Sequence, residues 1–274
     1  MAALELISKP SFAARSNLAL RDMMHATVMW RLCWTLAWLD IKLRYRGSLL
    51  GPFWLTMSTA VMIGSMGFLY GTLFQMDLQH YFPFLALSIV LWAFLSSLIQ
   101  EACVCFTQAE GMIRAVRMPF TLYAGRVVMR NLLVLAHNVV VIVVVDLLVG
   151  LNPGWVGLLA IPAFVLWLAL AVALCLLLGV LCARFRDIPP IVASIVQIAF
   201  FMSAVIWQPS QLKENEYLLA LNPFFTLLEV VRGPMLGEVP SLSVYLSAGV
   251  YSGLIFVISW LLFSRVRGRI AFWV

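Results

Sequence analysis

Long apolar runs alternate with short charged stretches along this chain, and that alternation organises it. From about residue 27 to 46 the pattern has the period of a helix. Trp30, Trp34, Trp38, Ile41 and Tyr45 fall on one stripe, with Arg31, Thr35, Lys42 and Arg46 beside it. Asp40 and Arg44 are spaced as an i,i+4 pair on the remaining side. Aromatic rings beside a basic stripe suit a helix lying in the headgroup region. The first half of a spanning helix is a poorer reading, because Arg44 and Arg46 would each cost about 2.5–3.5 kcal/mol near the bilayer centre. Gly51-Pro52 then breaks the pattern. Six runs follow that approach the roughly 20 apolar residues needed to cross a bilayer: 53–74, 84–106, 122–148, 156–183, 191–207 and 244–263.

The breaks between these runs differ in kind. Residues 77–83 and Asn152-Pro153-Gly154 read as tight turns. The stretch QAEGMIRAVRMPF, Gln108 to Phe120, is short, charged and flanked by two spans. Arg184-Phe185-Arg186-Asp187 and Pro189-Pro190 close the fourth run. Arg126 and Arg130, early in the third run, are long enough to snorkel toward the same interface as the charged stretch. The segment 208–240 holds Pro209, Pro223, Pro234 and Pro240 around two apolar pieces, 217–221 and 224–231, each too short to span. Non-helical backbone at membrane depth must face protein or water, so this segment is expected to border a path.

Composition agrees with a lipid environment. The chain has 274 residues, 64% of them hydrophobic and 11% charged, where a soluble domain carries about 25% charged residues. Its excess of base over acid does not indicate nucleic acid, because it follows topology. With six spans both termini share a side. Lys9, Arg15, Arg21, Arg31, Lys42, Arg44, Arg46, Arg114, Arg117, Arg126, Arg130, Arg184, Arg186, Arg265, Arg267 and Arg269 all fall on that side, and only Lys213 and Arg232 fall opposite. The positive-inside rule makes that side cytoplasmic. Residues 1–22 read as a loosely ordered tail, and residues 1–29 hold no cleavable signal pattern, because Arg15, Arg21 and His25 interrupt any apolar core.

Chemistry is sparse. No GxxxxGK[ST] phosphate loop, HExxH or GxSxG occurs, so neither an ATP site of that type nor hydrolase machinery is expected here. Five cysteines, none in a CxxC spacing, imply packing and no metal site. His137-Asn138 lies inside the third run, where interhelical packing is the first expectation. With so few intramembrane ionisable groups, an ion-coupled carrier is disfavoured. Trp54, Phe68, Tyr70, Trp92, Phe94, Phe200, Phe201 and Trp207 offer rings along the spans, either as packing and interfacial belt or as apolar faces toward a sugar chain.

Four blocks in order carry a resemblance. They are Leu39-Asp40-Ile41-Lys42-Leu43-Arg44-Tyr45-Arg46 with Leu50-Gly51-Pro52-Phe53-Trp54; Ile113-Arg114 with Met118-Pro119-Phe120; Phe185-Arg186-Asp187-Ile188 with Gln197 and Phe200-Phe201; and Asn222-Pro223-Phe224 with Glu229, Arg232 and Gly233. On a six-span frame these resemble the membrane subunit of ABC-2 type polysaccharide (O-antigen) exporters, the Wzm type. The resemblance implies an all-α integral membrane fold with six transmembrane helices, an N-terminal amphipathic interface helix and short re-entrant helices before the last span. Its parts would be a cytoplasmic tail (1–26), the interface helix (27–51), the membrane domain (52–264) with a cytoplasmic coupling loop (107–120) and a periplasmic re-entrant segment (208–240), and a second tail (265–274).

The resemblance also implies roles. Gln108, Glu110, Ile113, Arg114, Arg117 and Met118 would contact a separate ATPase subunit, with a coupling helix near 110–116. Trp34, Trp38, Lys42, Arg44, Tyr45 and Arg46 would form the interface helix. The eight rings named above would be candidates for lining a channel, and Asn222, Pro223, Glu229 and Arg232 would belong to a periplasmic gate. The expected function is export of an undecaprenyl-linked, O-antigen-like polysaccharide across the bacterial inner membrane. Two permease chains and two ATPases would assemble, with ATP and Mg on the ATPases, no cofactor in this chain, and contacts with membrane lipids. Two other readings stay open: an exporter of the same fold with another cargo (capsule, teichoic acid, lipid or drug), and a membrane enzyme on lipid-linked sugars.

Overall fold

The computed structural model describes residues 11–48, 51, 53–73 and 77–274. Leu50 and Pro52 of the first block, Phe74 at the end of the first run, and Lys9 lie outside the described residues. No strand occurs among the described residues. The helices are α1 (Phe12–Val28), α2 (Trp30–Arg44), α3 (Phe53–Leu73), α4 (Leu78–Cys103), α5 (Glu110–Ala115), α6 (Phe120–Val149), α7 (Ala160–Arg184), α8 (Ile188–Met202), α9 (Pro223–Met235), α10 (Leu242–Val266) and α11 (Ile270–Trp273).

Five of these, α3, α4, α6, α7 and α10, are long and apolar enough to cross a membrane. α4 is the hub, packing on α3, α6, α7, α8 and α9. Its most apolar stretch is 78% buried, against 17% for α3, so α3 sits at the rim of the bundle. The six expected spans are therefore five long helices and one short one. α8 has 15 residues, about 22 Å at 1.5 Å per residue, against a hydrocarbon core near 30 Å. Pro189 and Pro190 start it, placed where a helix tolerates missing N–H donors. It stops at Met202 because the backbone turns there, with Ala204 at φ 48. The chain then runs in 3-10 turns from Pro209 to Leu221, kinked at Lys213 (φ 51).

The N-terminal region also departs from the sequence pattern. Where the apolar pattern reads a loose tail, residues 12–28 form α1, capped by Ser11 and packed on α6 and α10. α1 and α2 are separate helices with Met29 between them. On α2 the buried stripe is Cys33, Ala37 and Ile41, which faces α6. Trp30, Trp34 and Trp38 point outward.

Candidate functional site

Two clusters of polar side chains stand out, one at each end of the bundle. At the basic end, α4 stops at Cys103 and α6 starts at Phe120. The intervening chain makes a 3-10 turn (Thr107–Ala109) and then α5. α5 is only six residues long. A helix this short has little stability of its own, so its neighbours hold it. Glu110 and Arg114 pair across one turn at 2.7 Å, both exposed. Arg114 also donates to the Val274 carbonyl oxygen at 2.8 Å. Gln108 and Arg117 are exposed as well. Met112, Ile113 and Met118 turn partly inward, onto a cluster that includes Phe106, Phe263 and Ile270. Of the six expected coupling residues, then, four point outward, while Ile113 and Met118 anchor the loop.

Asp22 holds the far end of this loop. α6 begins at Pro119-Phe120-Thr121 with no side chain of its own as cap. Asp22, buried on α1, fills that role: its carboxylate accepts from Phe120 N (3.2 Å), Thr121 N (2.9 Å) and Thr121 Oγ1 (2.8 Å). Arg267 donates to it at 2.8 Å. A carboxylate at a helix start satisfies free N–H groups and complements the dipole. Asp22 therefore ties α1, the loop exit and the end of α10 together. Sequence reasoning missed it, since it lies where a tail was expected. The available signal was a 30-residue helix that opens without a local Ser, Thr, Asp or Asn cap.

α2 is fastened by a charged network in place of the expected pairing within one helix. Asp40 turns away from Arg44 and accepts from Arg126 Nε (2.8 Å) and Arg130 Nη1 (3.1 Å). Glu101 collects Arg130 (2.8 Å), Arg44 (3.2 Å) and Asn131 Nδ2 (2.6 Å). Arg126 and Arg130 are thus paired within the bundle and do not snorkel outward, because α2 lies against α6 and brings Asp40 within reach. Three arginines meet two carboxylates, which leaves the network cationic. Trp34, Trp38, Lys42, Arg44 and Arg46 are exposed, while Tyr45 is half-buried, and that burial pushes its phenol up.

At the opposite end the pieces 203–208 and α9 interlock. α9 is wedged among α4, α7 and α10. Asn222 caps it, accepting from Phe224 N (2.9 Å) and Phe225 N (3.3 Å), and its Nδ2 donates to Met202 O and Ser203 Oγ, both at 3.1 Å. Arg232 is 0% exposed. It pairs with Glu229, donates to Ser88 Oγ at 2.8 Å and to Ala204 O at 2.7 Å, and stacks on Phe84 with 4.4 Å to the ring centroid. Tyr81 Oη donates to Ile206 O at 2.7 Å, and Trp207 Nε1 to Phe201 O at 2.9 Å. Side chains thus satisfy the carbonyls that the break at 203–207 frees, as non-helical backbone in a lipid-embedded bundle requires. Gly233 is needed for the close approach of Pro240, whose Cγ lies 2.8 Å from where a Cβ would stand. A cavity of about 550 Å³ opens beside this cluster, bordered by Gln79, His80, Phe84, Gln208, Glu229 and Glu238.

The ring candidates divide by exposure. Trp92 and Phe94 are buried, Phe94 stacked on Trp167 (5.9 Å) and Trp92 against Phe200 and Phe224. Trp54, Phe68 and Phe201 are exposed, and Tyr70, Phe200 and Trp207 are half-buried. His137 bonds the Leu133 carbonyl of its own helix at 2.6 Å, whereas the buried Asn138 leaves its Oδ1 without a partner. All five cysteines are free and buried.

Five long apolar helices around a buried hub, with a small charged helix presented at one end, define a multi-pass membrane protein. The family of ABC-2 type transporters matches residues 31–236, and the chain belongs to that family as a transport permease. It is similar to the O-antigen export system permease protein RfbA of Myxococcus xanthus, with 23% identity over 192 residues, 69% of this chain and 74% of that protein. It is also similar to the O-antigen export system permease protein RfbA of Klebsiella pneumoniae, with 20% identity over 235 residues, 85% of this chain and 90% of that protein.

Proposed function

We propose that this chain is the membrane subunit of an ATP-driven exporter of undecaprenyl-linked, O-antigen-like polysaccharide in a bacterial inner membrane. The observation that carries the reading is α5, a charged helix too short to stand alone, tied to the 269–274 segment through Arg114 and Val274, in a loop whose exit is held by Asp22 and Arg267. A helix so held transmits a push to the spans without folding away. The ATPase is a separate subunit that binds ATP and Mg, and Gln108, Glu110, Arg114 and Arg117 meet it. Two copies of each subunit assemble, with the path between the two permease chains. Closure of the ATPase pair rotates the spans as rigid bodies. The names of the two relatives support the cargo, and the split of basic residues supports cytoplasmic termini.

The sixth crossing is α8 with its turn, since Ile206 meets Tyr81 at the start of α4. Re-entrant pieces at 208–240 then form the outer gate, with Asn222, Pro223, Glu229 and Arg232 as its fixed hinge. Trp54, Phe68 and Phe201, exposed in one chain, face the glycan, while Trp92 and Phe94 support the wall from within.

Purification from native membranes in mild detergent tests the assembly. An ATPase with a phosphate-binding loop is expected in equal amount. Charge reversal at both Glu110 and Arg114 should leave the chain folded and inserted, abolish export and trap glycan inside. A chain that purifies alone in every detergent, or normal surface glycan in the charge-reversed strain, contradicts the reading.

A further inference from the structure

The loop carrying α5 is one part of a larger surface. Arg114 joins it to Val274. The Arg184 guanidinium, at the end of α7, lies 5.8 Å from the Trp273 ring and 5.9 Å from the Phe185 ring. Three segments distant in sequence, 110–117, 184–187 and 269–274, are thereby stitched together. Ile270 is fully buried and Trp273 packs on the same inner cluster as Met112 and Ile113. Phe272, between them, is 86% exposed. Val116 and Phe185 are each 55% exposed. The same three segments also carry Arg114, Arg117, Arg184, Arg186 and Arg269, exposed, against exposed Glu110 and Asp187.

We infer that the ATPase docks on this three-segment surface, with Phe272 as its apolar anchor. The inference rests on the proposed exporter reading and extends it to residues outside the loop between α4 and α6. Aromatic and Arg groups with a polar rim are the composition of an interface centre. The surplus of arginine calls for a partner patch that is acidic around an apolar socket. A lipid surface is the poorer occupant. α11 has four residues, too few for an amphipathic membrane helix, and Trp273, the ring suited to a headgroup layer, faces inward. The patch also continues directly into α5 through Arg114.

Photo-crosslinking in the assembled transporter tests this, with a benzophenone amino acid placed at Phe272 in one strain and at Glu110 in another. Phe272 is exposed, so the replacement leaves packing intact. Adducts to the ATPase from both positions are expected, and Phe272→Glu should lower ATPase affinity at least about tenfold while export-independent insertion stays normal. An adduct from position 110 alone overturns the three-segment surface and leaves the exporter reading standing. Adducts from position 272 to phospholipid alone overturn it in favour of a membrane contact. No ATPase adduct from either position contradicts the docking reading itself.

Discussion

Replacing Arg232 with Met removes one side chain and strands several groups at once. Glu229 would keep its charge with a side chain only 15% exposed. The Ala204 carbonyl and the Ser88 hydroxyl would each lose a donor. Breaking a buried ion pair from one side costs about 3–5 kcal/mol. A chain of this size loses about 2–4 °C of Tm per kcal/mol, so a fall of roughly 6–20 °C is expected. Thermal unfolding in detergent, followed by tryptophan fluorescence, reads it directly. Arg232→Lys should lose about 1–3 kcal/mol, because an ammonium keeps the charge but cannot serve Glu229, Ser88 and Ala204 from a planar fork. Glu229→Gln combined with Arg232→Met should recover part of the single-variant loss, since no charge is then left alone. A Tm for Arg232→Met within about 3 °C of the parent, some 1 kcal/mol, would refute the claim that this cluster fixes the turn at 203–207.

Other expectations follow from the same geometry. Asp22→Asn keeps an acceptor for the α6 start but weakens the Arg267 pair. It should leave insertion normal and raise ATP hydrolysed per glycan exported by roughly ten- to hundredfold, the factor to which the about 1.5–3 kcal/mol of a charged hydrogen bond corresponds, measured in reconstituted vesicles. Asp40→Asn should cost about 3 kcal/mol in thermal unfolding, because Arg126 and Arg130 both lean on Asp40, and Asp40→Asn with Arg126→Met should be milder than Asp40→Asn alone. Gly233→Ala should destabilise α9 by about 1–3 kcal/mol through the Pro240 contact, whereas Gly111→Ala, with open space around it, should be neutral in the same melt.

The frame was legible because its signals are local. Runs such as 122–148 and 156–183 announce α6 and α7 by length and apolarity, and QAEGMIRAVRMPF announces a charged loop with its exposed Glu110 and Arg114. The misreadings share a cause, which is long-range pairing. Asp40 and Arg44 have the spacing of a helical pair, yet Asp40 is taken by Arg126 and Arg130 on another helix. Asp22 reads as tail because its three N–H and O–H donors lie about a hundred residues away. Residues 191–207 read as one run, but the helix ends at Met202, where Trp207 and Asn222 take the carbonyls of Phe201 and Met202 and, just beyond, Arg232 and Tyr81 take those of Ala204 and Ile206. Exposure of rings is equally invisible: Phe94 and Phe68 look alike in sequence and end as core and surface.

The central claim is that energy from a partner ATPase reaches the spans through α5 and moves a lipid-linked glycan. Vesicles reconstituted with this chain, its co-purified ATPase and labelled undecaprenyl-linked polysaccharide measure that most directly, by the glycan newly exposed to an added glycosidase. The account predicts exposure that requires ATP and Mg and disappears when Glu110 and Arg114 are charge-reversed, although ATP is still hydrolysed. Exposure that proceeds without ATP, or that survives the charge reversal, would contradict it.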